Sequence, residues 1–132
     1  MSYEFYKVLH LLCILALACG LGGLAVLSLT SSADDHKGLR KGLMIVHGVA
    51  LLVIFVAGFG MMARKGIGIG AAGDTGWPGW IFGKMGIWLA LGGMAAFIKR
   101  KADLSWHALW AVPVLGALAA YLAVVHPGAA GG

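Results

Sequence analysis

Charge is scarce in this chain. Asp, Glu, Lys and Arg make up 11% of its 132 residues, against about 25% in an ordinary soluble domain. The hydrophobic fraction is 61% and the mean hydropathy +0.91. A water-soluble globular enzyme is thereby excluded. Disorder is excluded too, because disordered chains are poor in apolar residues and rich in charge. Acid is scarcest of all: five Asp and Glu stand against ten Lys and Arg, and none of the five lies within an apolar run. That absence argues against a proton-coupled transporter. The net charge of +5 is not read as a nucleic-acid signal, because basic loops beside membrane spans account for it.

Cysteine and proline are also few. Cys13 and Cys19 both lie in the first apolar run. Their spacing suits neither a metal pair nor a disulfide within one helix, so they read as small buried hydrophobes. Of three prolines only Pro113 falls within an apolar run, where it is expected to kink a helix. No Gly-x-Ser-x-Gly, His-Glu-x-x-His, phosphate loop or Cys-x-x-Cys occurs. Gly66-Ile67-Gly68-Ile69-Gly70 is a poor nucleotide loop, since no water-exposed helix follows it.

What the chain does have is long apolar stretches. A helix needs ~20 residues to cross a membrane, and four such stretches fill most of the length. They are expected at about 5–30, 42–63, 80–98 and 104–126. None alternates with period two, which excludes a membrane barrel. The expected fold is all-α: one integral membrane domain, a four-helix bundle with short loops. The apolar start is too long for a signal-peptide core and reads as a retained first span.

Loops follow at Ser31–Lys41, Arg64–Gly79 and Lys99–Asp103, with a Gly/Ala tail after Pro127 that is expected to fray. The first and third loops carry Lys37, Arg40, Lys41, Lys99, Arg100 and Lys101; the opposite side carries Lys7, Arg64 and Lys65. The positive-inside rule puts the first set in the cytoplasm and both termini on the periplasmic side of a bacterial inner membrane. Trp77 and Trp80 are expected at the outer boundary and Trp106 near the inner one. Gly79, Gly83, Gly86, Ala90 and Gly93 form a small-residue stripe on the third span, expected to contact a neighbouring helix; Ala16, Gly20 and Gly23 do likewise on the first.

Ionisable residues inside spans are costly and mark candidate sites. His10, Lys84 and His126 fall near one level, within ~6–8 Å of the outer boundary by helical rise. Tyr6 lies one turn from His10, and Trp80 and Trp88 flank Lys84. His47 begins from the inner side and should sit well away in depth, so His10 and His47 should not share one haem iron. Several readings stay open. Lys84 can snorkel, and His10 can bond a backbone carbonyl. His36 and His107 are expected to face solvent or headgroups. The sharper reading is a polar pocket of His10, Lys84, His126 and Tyr6 for an anionic or quinone-like headgroup. His47 would then be a separate site or a helix contact. A haem held by a single His, His10 or His47, stays open too, with His10 taken as the metal ligand, or with Met61 or Met62 as a second donor to His10.

Lys7-Val8-Leu9-His10-Leu11-Leu12, His47-Gly48-Val49-Ala50-Leu51-Leu52, Trp80-Ile81-Phe82-Gly83-Lys84 and the closing Ala119-Ala120-Tyr121-Leu122-Ala123-Val124-Val125-His126 form a pattern. It resembles the SirB-type small integral membrane proteins. More distantly it resembles the HemJ-type protoporphyrinogen oxidases and the CopD membrane domain. The HemJ-type resemblance implies a haem b-binding membrane oxidase of a tetrapyrrole precursor, with its essential His and Lys at His10 and Lys84. Two functions are therefore expected as alternatives. One is a non-enzymatic accessory or ligand-binding subunit of a larger, for instance redox, membrane assembly, with lipid, other membrane subunits or itself as partner and no nucleic acid. The other is a haem-binding oxidoreductase.

Overall fold

The computed structural model describes residues 1–66, 77 and 79–125. Among them are four long helices: α1 (Tyr3–Thr30), α2 (Lys37–Arg64), α3 (Gly79–Arg100) and α4 (Ser105–Val125), with a 3₁₀ turn at Ala102–Leu104. All four are long and apolar enough to cross a membrane. No strand occurs among the described residues. The chain is a small membrane protein of the all-α class, as the four apolar stretches imply.

Each helix begins and ends for a local reason. Ser2 caps α1 by accepting the Phe5 N–H at 3.2 Å, and Glu4 sits favourably at the positive end of its dipole. At the other end α1 leaves carbonyls without helical donors. Ser31 supplies two, its N–H to Leu27 O at 3.1 Å and its Oγ at 2.6 Å. The Arg40 guanidinium then reaches back from α2. It donates to Leu27 O at 2.7 Å, Ser31 O at 3.2 Å and Ser32 O at 3.1 Å.

The connection itself is shorter than the sequence suggests. Residues Lys37 to Lys41, read as loop, form the first turn of α2. The turn that precedes them closes through Asp35, whose Oδ2 accepts Ser32 N–H at 3.1 Å and Ser32 Oγ–H at 2.8 Å. His36 adopts the left-handed conformation, φ 55°, which completes the reversal. The polar residues that look like a loop are therefore a solvated helical turn projecting beyond the apolar span.

α1 and α2 share the most extensive helix–helix contact. Gly20 and Gly23 make it possible, as expected. A Cβ on Gly20 would lie 3.6 Å from Leu43 O, and one on Gly23 would lie 3.1 Å from the Leu43 side chain. The α3 stripe behaves differently. Gly83 packs on Leu122 of α4, its Cβ position 3.0 Å away, but Gly79, Gly86 and Gly93 face open space. The glycine that meets α2 is Gly92, against Leu51 at 3.6 Å. The stripe is displaced because α3 turns its Gly92 edge, with Ile81, Trp80 and Ala95, into the bundle.

The buried core is Leu17, Leu21, Leu24, Ala25, Ala50, Ala95, Ile98 and Ala108. This cluster runs from mid-bundle to the end that carries the α1–α2 and α3–α4 turns, while Ala57, Trp80, Ile81 and Ile87 are buried toward the other end. The opposite end, formed by the start of α1, the end of α2 and the start of α3, is held by aromatic rings. Phe55 and Phe59 stack at 4.7 Å between centroids, Phe55 meets Trp88 at 5.1 Å, and Phe59 meets Trp77 at 5.4 Å. Trp77 and Trp80 pack against protein at this end, Trp80 being 9% exposed. Trp106 is 55% exposed, as a belt residue would be. Cys13 is half-buried, whereas Cys19 points outward, so only the first fits the buried reading. α4 continues as helix through Pro113.

Candidate functional site

His10 stands half-buried on α1 where that helix faces the last two turns of α2. Its Nδ1 lies 3.0 Å from Ile54 O. A carbonyl can only accept, so Nδ1 carries the proton and Nε2 is left as the acceptor or ligand nitrogen. Gly58, one turn along α2 from Ile54, lies beside the imidazole, where a Cβ would make ordinary contact with His10 Cε1 at 3.7 Å. Tyr6 fits a far tighter gap. A Cβ on Gly60 would come within 2.6 Å of the Tyr6 ring, closer than carbon atoms tolerate. Gly58 and Gly60 thus form a notch that receives His10 and Tyr6. The sequence reading missed both, although two glycines spaced by one residue near the end of an apolar run carry the signal.

Lys84 enters from α3. Its Nζ lies over the Trp80 ring, 4.7 Å from the centroid. The stack joins residues one helical turn apart, a contact of roughly 0.5–2 kcal/mol depending on desolvation. His10 on α1, Lys84 on α3 and Lys65 just after α2 lie at the same end of the bundle. Lys65 in turn lies over the Tyr3 ring at 5.1 Å. Among the described residues the sole ion pair is Lys37–Asp34, at the other end of the bundle. The cluster of His10, Lys84 and Lys65 is thus basic, and no described carboxylate pairs with it. Lys65 and Tyr3 belong to it and were not foreseen.

Trp88, expected to flank Lys84, instead donates its Nε1–H to Leu51 O at 2.9 Å and ties α3 to α2. His126 lies outside the described residues, as do residues 67–70 of the glycine-rich segment.

His47 is elsewhere, as its depth required. It is 4% exposed and packs where Gly20 of α1 approaches α2. Gly20 is ten residues from His10, or ~15 Å by helical rise. Neither ring nitrogen of His47 makes a hydrogen bond among the described residues. His36 and His107 are exposed, and His107 Nδ1 meets Leu104 O at 3.2 Å.

A haem can be weighed against these residues. The donor fits: a histidine whose Nδ1–H is held by a backbone carbonyl offers Nε2 in a fixed direction. A second histidine at the same depth is not present among the described residues, and no group of three metal-ligating side chains occurs there. No family model, curated protein or solved structure matches the chain.

Proposed function

We propose that this protein is a non-enzymatic, ligand-binding accessory subunit of a larger membrane assembly, a redox assembly being the leading candidate. The observation that carries this reading is that His10, Lys84 and Lys65 lie at one end of the bundle, the two lysines over the Trp80 and Tyr3 rings. A lysine inside a span with no paired acid favours an electron-rich partner. A quinone-like or anionic headgroup supplies one, its oxygen accepting from the Lys84 ammonium. The membrane is a bacterial inner membrane in this reading, with both termini periplasmic, because the basic residues concentrate in the two turns at the opposite end.

The test uses the full chain in mild detergent with a short-chain ubiquinone as probe. The probe should raise the melting temperature of the wild type but not of Lys84→Met or His10→Ala. A wild type indifferent to ubiquinone overturns the quinone reading.

The fixed His10 tautomer supports a second reading, a haem-binding oxidoreductase like the HemJ-type enzymes. Its signature is a Soret band in the purified protein that disappears in His10→Ala. A spectrum without that band in haem-supplemented protein removes this alternative.

A further inference from the structure

At the end of the bundle far from His10, α3 and α4 part to leave a crevice of about 310 Å³. Ala90, Gly93 and Phe97 line it from α3, and His107 and Ala111 from α4. We infer that this crevice holds one acyl chain of an anionic phospholipid whose phosphate rests on the basic turn Lys99-Arg100-Lys101.

Two independent features lead there. The first is shape. The expected helix contact along Gly86 and Gly93 is not made, and a Cβ on Gly93 would meet nothing within 4 Å. The space is open sideways and almost wholly apolar. From Ala90 to Phe97 it runs ~10 Å along the helix, against ~15 Å for one hydrocarbon leaflet. That is the shape of a chain lying along a helix pair. The second is charge. Lys99, Arg100 and Lys101 begin two residues after Phe97 and are all exposed. Asp103 is the single acid of the turn, and among the described residues it pairs with none of the three. His107 stands in the first turn of α4 at the edge of the crevice. A phosphate at this level therefore meets several cations while its acyl chain enters the crevice, the arrangement that basic pockets between spans offer to anionic lipids. Arg40, by contrast, is occupied by the α1 carbonyls.

The full chain in mild detergent is titrated with phosphatidylglycerol and, separately, with phosphatidylcholine of the same acyl chains, and bound lipid is read by native mass spectrometry. One phosphatidylglycerol should be retained about tenfold more strongly than phosphatidylcholine, and Lys99→Ala or Lys101→Ala should each weaken it about fivefold. Gly93→Leu should abolish retention by filling the crevice. Ala111→Leu fills it from the other wall and serves if Gly93→Leu does not fold. Equal retention of the two lipids overturns the inference. So does phosphatidylglycerol retention that survives both filling variants, which marks adsorption to the basic turn alone. A dimer that forms through this face and excludes lipid overturns it in favour of a second copy.

Discussion

The Arg40 guanidinium and the Leu27 carbonyl, 2.7 Å apart, join the second helix to the end of the first. The same group also reaches Ser31 O, Ser31 Oγ and Ser32 O. One side chain thus closes the first helical hairpin by satisfying carbonyls that α1 leaves open. Arg40→Ala should lower stability by about 1.5–3 kcal/mol, the range for hydrogen bonds to a charged group. Arg40→Lys should recover only part of this, because an ammonium lacks the planar fork. Thermal unfolding in detergent, with Lys41→Ala as control, measures both.

Asp35 adds a pH-dependent element to the same turn. Hydrogen bonds from the Ser32 side chain and N–H hold its carboxyl below the usual carboxylate range, against a small opposing effect of desolvation. His36 and Arg40 act in the same direction. A lowered pKa in the folded state means that the stabilisation is present above the unfolded value of about 3.9 and is lost as pH falls through the folded value. Asp35→Ala should therefore be less stable than wild type at neutral pH, with the difference shrinking below pH about 4. A difference that stays constant across that window contradicts the assignment.

The Tyr6–Gly60 contact predicts a compensating pair. Gly60→Ala forces the Tyr6 ring out of its notch, because the new Cβ would approach within 2.6 Å. Overpacking of this kind destabilises by about 1–3 kcal/mol. In Tyr6→Ala the same substitution at Gly60 should be nearly neutral. A double-mutant cycle in detergent should thus return a coupling above about 0.5 kcal/mol.

His47 tests what a buried, unbonded imidazole contributes. Two desolvated nitrogens without partners are unfavourable, and an apolar side chain of similar volume removes them. His47→Leu should leave the melting temperature unchanged or raise it. A clear fall, with Gly92→Ala unchanged, would instead mark His47 as holding a ligand.

How much of this was legible beforehand differs by level. Four long apolar runs survive any local detail, so the helices and their number could be read directly. The α2 start could not, because Arg40 looks like a loop residue until the α1 carbonyl it reaches is known. Depth was legible from rise per residue, which separated His10 from His47. Rotation about the helix axis was not. The helices are apolar all round, so nothing in their patterning says which face turns inward. The α3 glycine stripe was misplaced for that reason. The Gly58–Gly60 notch escaped because its meaning depends on Tyr6 and His10 arriving from another helix.

The Leu17–Ala25 packing of α1 has a consequence for how the helix responds to bilayer thickness. Leu21 sits fully enclosed at the jointed end, while His10 lies eleven residues away, a lever arm of ~16 Å. A rocking of α1 by about 3° around Leu21 displaces His10 by roughly 0.9 Å at that length. Bilayers of different thickness change helix tilt. Such a change would register first at the contact with Ile54, and the joint would hardly move.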